Sequence, residues 1–164
     1  MTINLNAQFV EQAKIVAGLC PVTPSTSTPD YVSLKNYEKL TIVILVDNAT
    51  TVTGSAITVK QATAVAGTSE KAVSFTTAYR NIDIDAADTL SSFTVSSDTF
   101  TTDATNNKNL LYVIEVNASD LDVANGFDCV RVDSLLMANA VGYVQYILHG
   151  ARYASPLAVA AITD

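Results

Sequence analysis

The 164-residue chain has no tryptophan, one histidine, two cysteines, and nine lysines and arginines against sixteen aspartates and glutamates. Each shortage removes a class of function. The formal net charge of −7 repels phosphate backbones at long range, because protein affinity for phosphate comes from Lys and Arg displacing counterions. Lys14, Lys35 and Lys39 lie in the first quarter, but Glu11 and Glu38 are interleaved with them, so no basic patch forms. Direct nucleic-acid binding is not expected. Cys20 and Cys129 are far apart and form no CxxC pair, which points to two free thiols in a reducing compartment rather than to a zinc site or a disulfide framework. Cys129 alternates with Phe127 and Arg131 and reads as a small buried hydrophobe.

A serine nucleophile would need a GxSxG elbow with His and Asp in support, and no such string occurs. The glycine-serine string at 67–71, GTSEK, reads as a hairpin turn, and His149 reads as a polar group at the end of the last strand. The six glycines are scattered, so no loop presents the clustered N–H groups that cradle a phosphate. The longest apolar runs, around 40–46 and 157–162, fall short of the roughly 18 residues of a membrane helix. At the start, Asn6, Gln8, Glu11, Gln12 and Lys14 break up any signal-like apolar stretch. A soluble protein made in the cytoplasm, with no membrane contact, is expected.

What remains is a chain of 49% hydrophobic residues with only 15% charged ones, whose polar surface must come largely from Ser, Thr, Asn and Gln. Such a surface suits a protein packed against others. Leu5, Phe9, Ala13, Val16 and Leu19 recur with a helical period, Asn4 or Asn6 can cap the start, Gly18 can end it and Pro21 prevents continuation. This predicts an N-terminal amphipathic helix. The following run at 21–30, PVTPSTSTPD, has three prolines and five hydroxyl residues and predicts an extended arm.

From Tyr31 the texture is β-branched and aromatic runs separated by turns. Strands are predicted near 40–46, 56–62, 73–76, 81–85, 92–96, 99–102, 110–117, 127–135 and 142–149. The fold expected is therefore mainly β: a single antiparallel, jelly-roll-like sandwich of eight or nine strands at 31–164, preceded by the helix and arm at 1–30. In ITVKQA, Ile57, Val59 and Gln61 oppose Thr58, Lys60 and Ala62, and in FDCVRVDSL, Asp128, Val130 and Val132 oppose Phe127, Cys129 and Arg131. LTIVILV and LLYVIEV are instead apolar nearly throughout, which predicts strands covered on both faces or buried in an assembly. The 120–126 string DLDVANG predicts a shaped loop with a helical turn and a glycine stop.

Two acidic clusters, Asp83, Asp85 and Asp88, and Asp120, Asp122, Asn125 and Asp128, offer oxygens but match no EF-hand register. They read as solvated turns with local capping. Glu115 lies in an otherwise apolar strand and reads as a solvent-face residue, although burial there would raise its pKa. Tyr143 and Tyr146, three apart on one strand, fall on opposite faces and make no single stacking platform. No catalytic, cofactor-binding or metal-binding residue is assigned, and no enzyme is expected.

Four stretches taken together carry a resemblance: YVSLKNYEKLTIVILVDN from Tyr31, ITVKQATAVAGTSEKAVSFTTAYRN from Ile57, LLYVIEVNASDLDVANGFDCVRVD from Leu110 and YVQYILHGARYASP from Tyr143. In that order they resemble a family of small virion structural proteins from the head-gene region of tailed phages and prophages. The resemblance implies an auxiliary capsid protein, of the decoration or cement kind, that binds the major capsid protein on the virion surface and forms a homotrimer or another homo-oligomer. It transfers no catalytic residue. A head-tail connector or tail-associated protein would share the composition. So would a carbohydrate-binding host-attachment module with loops bearing Tyr31, Tyr37, Tyr79 or Tyr153.

Overall fold

The computed structural model describes residues 6–23, 27–133, 138–152 and 161–162. The chain folds as two antiparallel sheets packed face to face, a β-sandwich, as the sequence predicts. A single helical turn, α1 (Phe9–Gln12), precedes β1 (Ala13–Val22). The remaining strands are β2 (Val32–Ser33), β3 (Lys39–Asn48), β4 (Ala56–Ala62), β5 (Lys71–Ala72), β6 (Thr77–Asn81) and β7 (Ser91–Thr94), then β8 (Thr99–Thr101), β9 (Asn109–Asn117), β10 (Cys129–Asp133) and β11 (Ala140–His149). The larger sheet runs β1-β11-β3-β9-β6-β7, and the smaller runs β2-β10-β4-β5 with β8 also on β4. Long strands cross between sheets in the jelly-roll manner from β3 to β4 and from β9 through β10 to β11, whereas β6 and β7 form a hairpin within one sheet.

The core lies between the sheets. Leu40, Ile42, Ile44 and Val46 of β3, Leu110, Tyr112, Ile114 and Val116 of β9, and Val144, Tyr146 and Leu148 of β11 pack against Ile57 and Val59 of β4 and Val130 and Val132 of β10. Period-two alternation puts these residues on one face of each strand. Phe75, Phe93, Phe100 and Tyr112 close one end with ring centroids 5.2 to 6.5 Å apart.

The amphipathic helix expected over the first twenty residues is confined to α1. Ala13–Val22 is instead a strand on the edge of β11, in register from Ala13↔His149 to Val22↔Gly142. Two competing needs explain the difference. A helix would satisfy its own backbone but leave every outward N–H and C=O of β11 unpaired, whereas a strand satisfies both chains. The apolar residues at helical spacing reach the core all the same, because register shifts between Ala17 and Leu19 and between Leu19 and Val22 turn Val16 and Leu19 inward together. Gly18 is not a helix stop. A Cβ there would sit 2.4 Å from the ring of Tyr146, so glycine is what lets β1 lie over that ring. Residues 13–22 are thus part of the sandwich rather than of a separate arm, and Leu5 lies outside the described residues.

Two predicted strands shift. Residues 73–76 cross between the sheets, with Val73 N–H still donating to Val59 O and Phe75 N–H to Ser97 O. Residues 82–88 form a loop rather than the end of a strand. Asn81 organises it by donating from Nδ2 to Ala87 O while its Oδ1 accepts from Asp83 N–H. Beyond β1, the added strands are short, the two-residue β2 and β5. The 120–126 loop is as predicted, with 3-10 turns at Ala118–Asp120 and Val123–Asn125 and Gly126 at φ 81°, where glycine carries no steric penalty. Residues 134–135, at the end of the predicted 127–135 strand, lie outside the described residues.

Candidate functional site

The two outer faces of the sandwich differ in kind. On the smaller sheet, Lys60 Nζ lies 2.8 Å from Glu70 Oε1 and 2.7 Å from Asp133 Oδ2. Arg131 Nη2 lies 3.1 Å from both Glu70 Oε2 and Asp133 Oδ1, and its guanidinium stacks 4.8 Å from the Tyr31 ring. The Tyr31 hydroxyl donates to Glu70 Oε2 at 2.9 Å. The hydrogen bond from Lys60 holds the Glu70 carboxyl below the usual carboxylate range, and burial pushes the Tyr31 phenol up. Two cations and two anions thus pair across β4, β10 and the 63–70 hairpin, while the buried Arg131 Nε has no hydrogen-bond partner among the described residues.

The larger sheet presents the opposite character. Outward positions on β3 are Lys39, Thr41, Val43, Leu45 and Asp47; on β9 they are Asn109, Leu111, Val113, Glu115 and Asn117. β11 adds Val141, Tyr143, Gln145 and Ile147, β1 adds Ile15 and Ala17, and β6 adds Tyr79. Ile15, Val141 and Tyr79 are 44%, 42% and 40% exposed. The registers Ala17↔Gln145, Gln145↔Val43, Val43↔Val113 and Tyr79↔Val113 place Ala17, Gln145, Val43, Val113 and Tyr79 in one row across five strands. LTIVILV and LLYVIEV are apolar at both parities because their second parity lines this face. Only their first parity is covered by the other sheet.

Polar groups sit at the two ends. At one end Lys39 Nζ pairs with Glu115 Oε2 at 2.5 Å, and Thr41 Oγ1 lies 3.1 Å from His149 Nε2. At the other end stand Asp47 and the 82–88 loop, which carries the exposed Ile82 and Ile84. Lys108 engages Asp83, and Asn109 Nδ2 donates to Asp85 Oδ2 at 2.8 Å, tying that loop to β9. Between Ile84 and the β11 pair Val141 and Tyr143 runs an apolar cleft of about 250 Å³. A second, more polar cleft of about 390 Å³ lies at the opposite end of β6, lined by 74–77, Tyr79, Glu115, Asn117 and Asp120.

The predicted candidates fall into place around these faces. Glu115 is exposed, as expected of a solvent-face residue, and is ion-paired. Asp122 is engaged by Lys71 and by Asn125, which holds its carboxyl below the ordinary range, and Asp120 Oδ2 caps Asn117 N–H at 3.0 Å. Among the described residues, no group of three His, Cys, Asp or Glu side chains could hold a metal ion. Tyr146 is buried and Tyr143 faces out, as the alternation predicts. Cys129 is buried and Cys20 exposed, both free. Tyr31 and Tyr37, expected on exposed loops, are buried at 4% and 1% exposure, so of the described sugar-platform tyrosines only Tyr79 is exposed. Tyr153 lies outside the described residues. No described helix is long and apolar enough to cross a membrane.

Burial, reinforced by the charge of Lys39 and opposed by Glu115, lowers the pKa of His149 from its ordinary 6.5. The folded state therefore prefers the neutral ring. Its contribution is full above 6.5 and is lost as pH falls through the lower folded value. Wild-type stability is expected to drop between pH 7 and pH 5 by more than that of a His149→Gln variant, read as urea midpoints; parallel profiles would contradict the assignment.

No protein-family model and no curated protein matches this chain. Among solved structures it is similar to the SPBc2 prophage-derived protein YomS, over 84% of this chain and 93% of that one, with 13% identity and a TM-score of 0.45. A likeness so distant decides neither fold nor function.

Proposed function

We propose that this chain is a structural protein of a tailed-phage virion, an auxiliary capsid protein of the decoration or cement kind that binds and reinforces the major capsid shell. The observation that carries the reading is the outer face of the larger sheet. It is a surface five strands wide with aliphatic residues at its centre and polar ones at its ends, on a molecule whose other outer face carries an ionic network. Contiguous apolar surface of this extent marks a protein-interaction site. The resemblance of the 31–156 stretches to phage head proteins supplies the class of partner, and the acidic net charge directs the chain toward protein rather than nucleic acid. Such a protein needs no catalytic group: it acts by covering surface, and repeated copies on a lattice add avidity to a modest single contact.

Copy number tests this reading directly. In virions purified from cells carrying the gene, quantitative mass spectrometry is expected to find the chain near one, or one third, of the number of major capsid subunits. A dozen copies or fewer would assign it to the neck or tail, and its absence would refute a virion role.

A further inference from the structure

At one end of the sandwich, where β2 and β11 leave their sheets and β9 runs into its 3-10 turns, lies a pocket of about 130 Å³. None of its lining residues is on a strand, so it belongs to neither outer face. Leu34, Ala118, Leu121 and Phe127 line it and are buried. Val123 completes the wall and is, at 61%, the most exposed large hydrophobic side chain among the described residues. An apolar cavity of about 150 Å³ holds a benzene ring, so this one takes a single side chain of about leucine size.

The walls are set before anything binds. Leu34 N–H donates to Asp128 O at 2.7 Å, Ala118 N–H to Glu38 O at 2.8 Å and Arg152 N–H to Asn36 O at 2.9 Å. The 34–38 turn, the 118–128 stretch and the chain after β11 are thus tied together through the backbone. Asp122 N–H, donating to Gln61 Oε1 at 2.8 Å, anchors the loop to β4. A pocket already shaped loses little entropy when it is filled.

The lining also carries an excess of positive charge, with Lys35 and Arg152 against the single carboxylate of Asp128. Among the described residues these are the lysine and arginine side chains without an ionic, hydrogen-bond or ring partner. Lys39, Lys60, Lys71, Lys108 and Arg131 are ion-paired, Arg80 lies over the Phe93 ring, and Lys14 has a partner of its own. Of the other carboxylates at this end, Asp120 is engaged by Asn117, Asp122 by Lys71 and Asn125, and Glu38 stands against Gly150 outside the lining. In a chain of net charge −7, two free cations beside one apolar pocket select an anion attached to an apolar group.

We propose that this pocket docks a segment of a partner protein that carries an aliphatic side chain next to a carboxylate. The side chain fills the pocket as an anchor, and the carboxylate pairs with Lys35 and Arg152. The docking rests on the reading of the chain as a protein-binding virion component, and gives it a chemically selective contact apart from the larger sheet. The chain's own 82–88 loop has the right composition, but its Asp83 and Asp85 are engaged by Lys108 and Asn109, which favours a different protein over a second copy.

The probe is the peptide acetyl-Gly-Asp-Leu-Asp-Gly-amide, titrated into the full isotope-labelled chain at physiological salt, where a Debye length of about 8 Å confines charge effects to the rim. Saturable shifts of the Leu34, Leu121, Val123 and Phe127 amide resonances are expected, with a Kd on the order of 1 mM. The same peptide with Asn in place of Asp, or Ser in place of Leu, is expected to bind about tenfold or more weakly. So is the acidic peptide to a chain carrying Lys35→Glu and Arg152→Glu, two exposed positions. The peptide comparisons do not depend on that variant folding. No saturation, equal binding of the Asn peptide, or shifts confined to the outer face of the larger sheet overturns the proposal. Shifts of the same amides that grow with protein concentration in the absence of peptide give the pocket to a second copy and overturn it too. A chain that binds the peptide but is missing from virions overturns the virion role and leaves the pocket standing; presence in virions without peptide binding does the reverse.

Discussion

Removing residues 1–30 is expected to yield a chain that is poorly soluble and unfolds well below the full-length protein. The deletion strips the ten-residue strand β1, with its seven paired positions, from β11 and takes Val16 and Leu19 out of the core. At about 1.5–3 kcal/mol for each buried aliphatic side chain, those two alone remove roughly 3–6 kcal/mol, a large part of the 5–15 kcal/mol that typically separates folded from unfolded domains. The newly exposed β11 edge carries Val141, Tyr143 and Ile147 on its outer face, and an unprotected apolar edge invites strand addition. β1 itself is a guarded edge, with two register irregularities and Pro21 near its end. Soluble yield and thermal unfolding of the truncated chain check this. A soluble product with the full-length transition would mean that β1 is dispensable to the sandwich.

Tyr146→Phe is expected to cost about 1–3 kcal/mol, although it removes one oxygen and keeps the ring. The side chain is fully buried, and its hydroxyl donates to Asp30 O at 3.0 Å and accepts from Val132 N–H at 3.1 Å. Val132 lies in the smaller sheet, beyond the reach of β2, which pairs only with Cys129 and Val130. Tyr146 therefore caps a donor that the sheet leaves open, joining the two layers through their core. Burial keeps this phenol neutral by raising its pKa, so the bond persists through ordinary pH. Phenylalanine leaves the Val132 N–H unpaired in an apolar site. The expected loss corresponds to a lower transition by about 2–4 °C per kcal/mol in a chain of this size. Tyr143→Phe, on the outer face, is expected to change little, and equal effects from the two variants, measured by urea unfolding, would refute the latch.

Much of this was legible beforehand. β3 and β9 announced themselves through nearly continuous apolar, β-branched runs, β4 and β11 through β-branched and aromatic stretches, the 120–126 turn through its glycine, and Cys129 through its place in an alternating strand. The candidate face was half legible: apolar residues at both parities of β3 and β9 implied two coverings, without indicating which parity the second sheet would take. Gln145 and Tyr79, which lie in its central row, carried no local signal, because an isolated Gln or Tyr in a strand reads the same wherever its neighbours are.

The sequence by itself determined the β class and the positions of its main strands, since side-chain alternation is a local property of extended chain. Tertiary structure alone decided three further matters. It made 13–22 a strand, because the open edge of β11, more than a hundred residues away, needed partners. It closed Tyr31, Lys60, Glu70, Arg131 and Asp133 into one network, because β4 and β10 pair through Arg131↔Lys60. And it left the outer face of the larger sheet without a covering sheet among the described residues, because a two-layer sandwich covers each sheet on one side only.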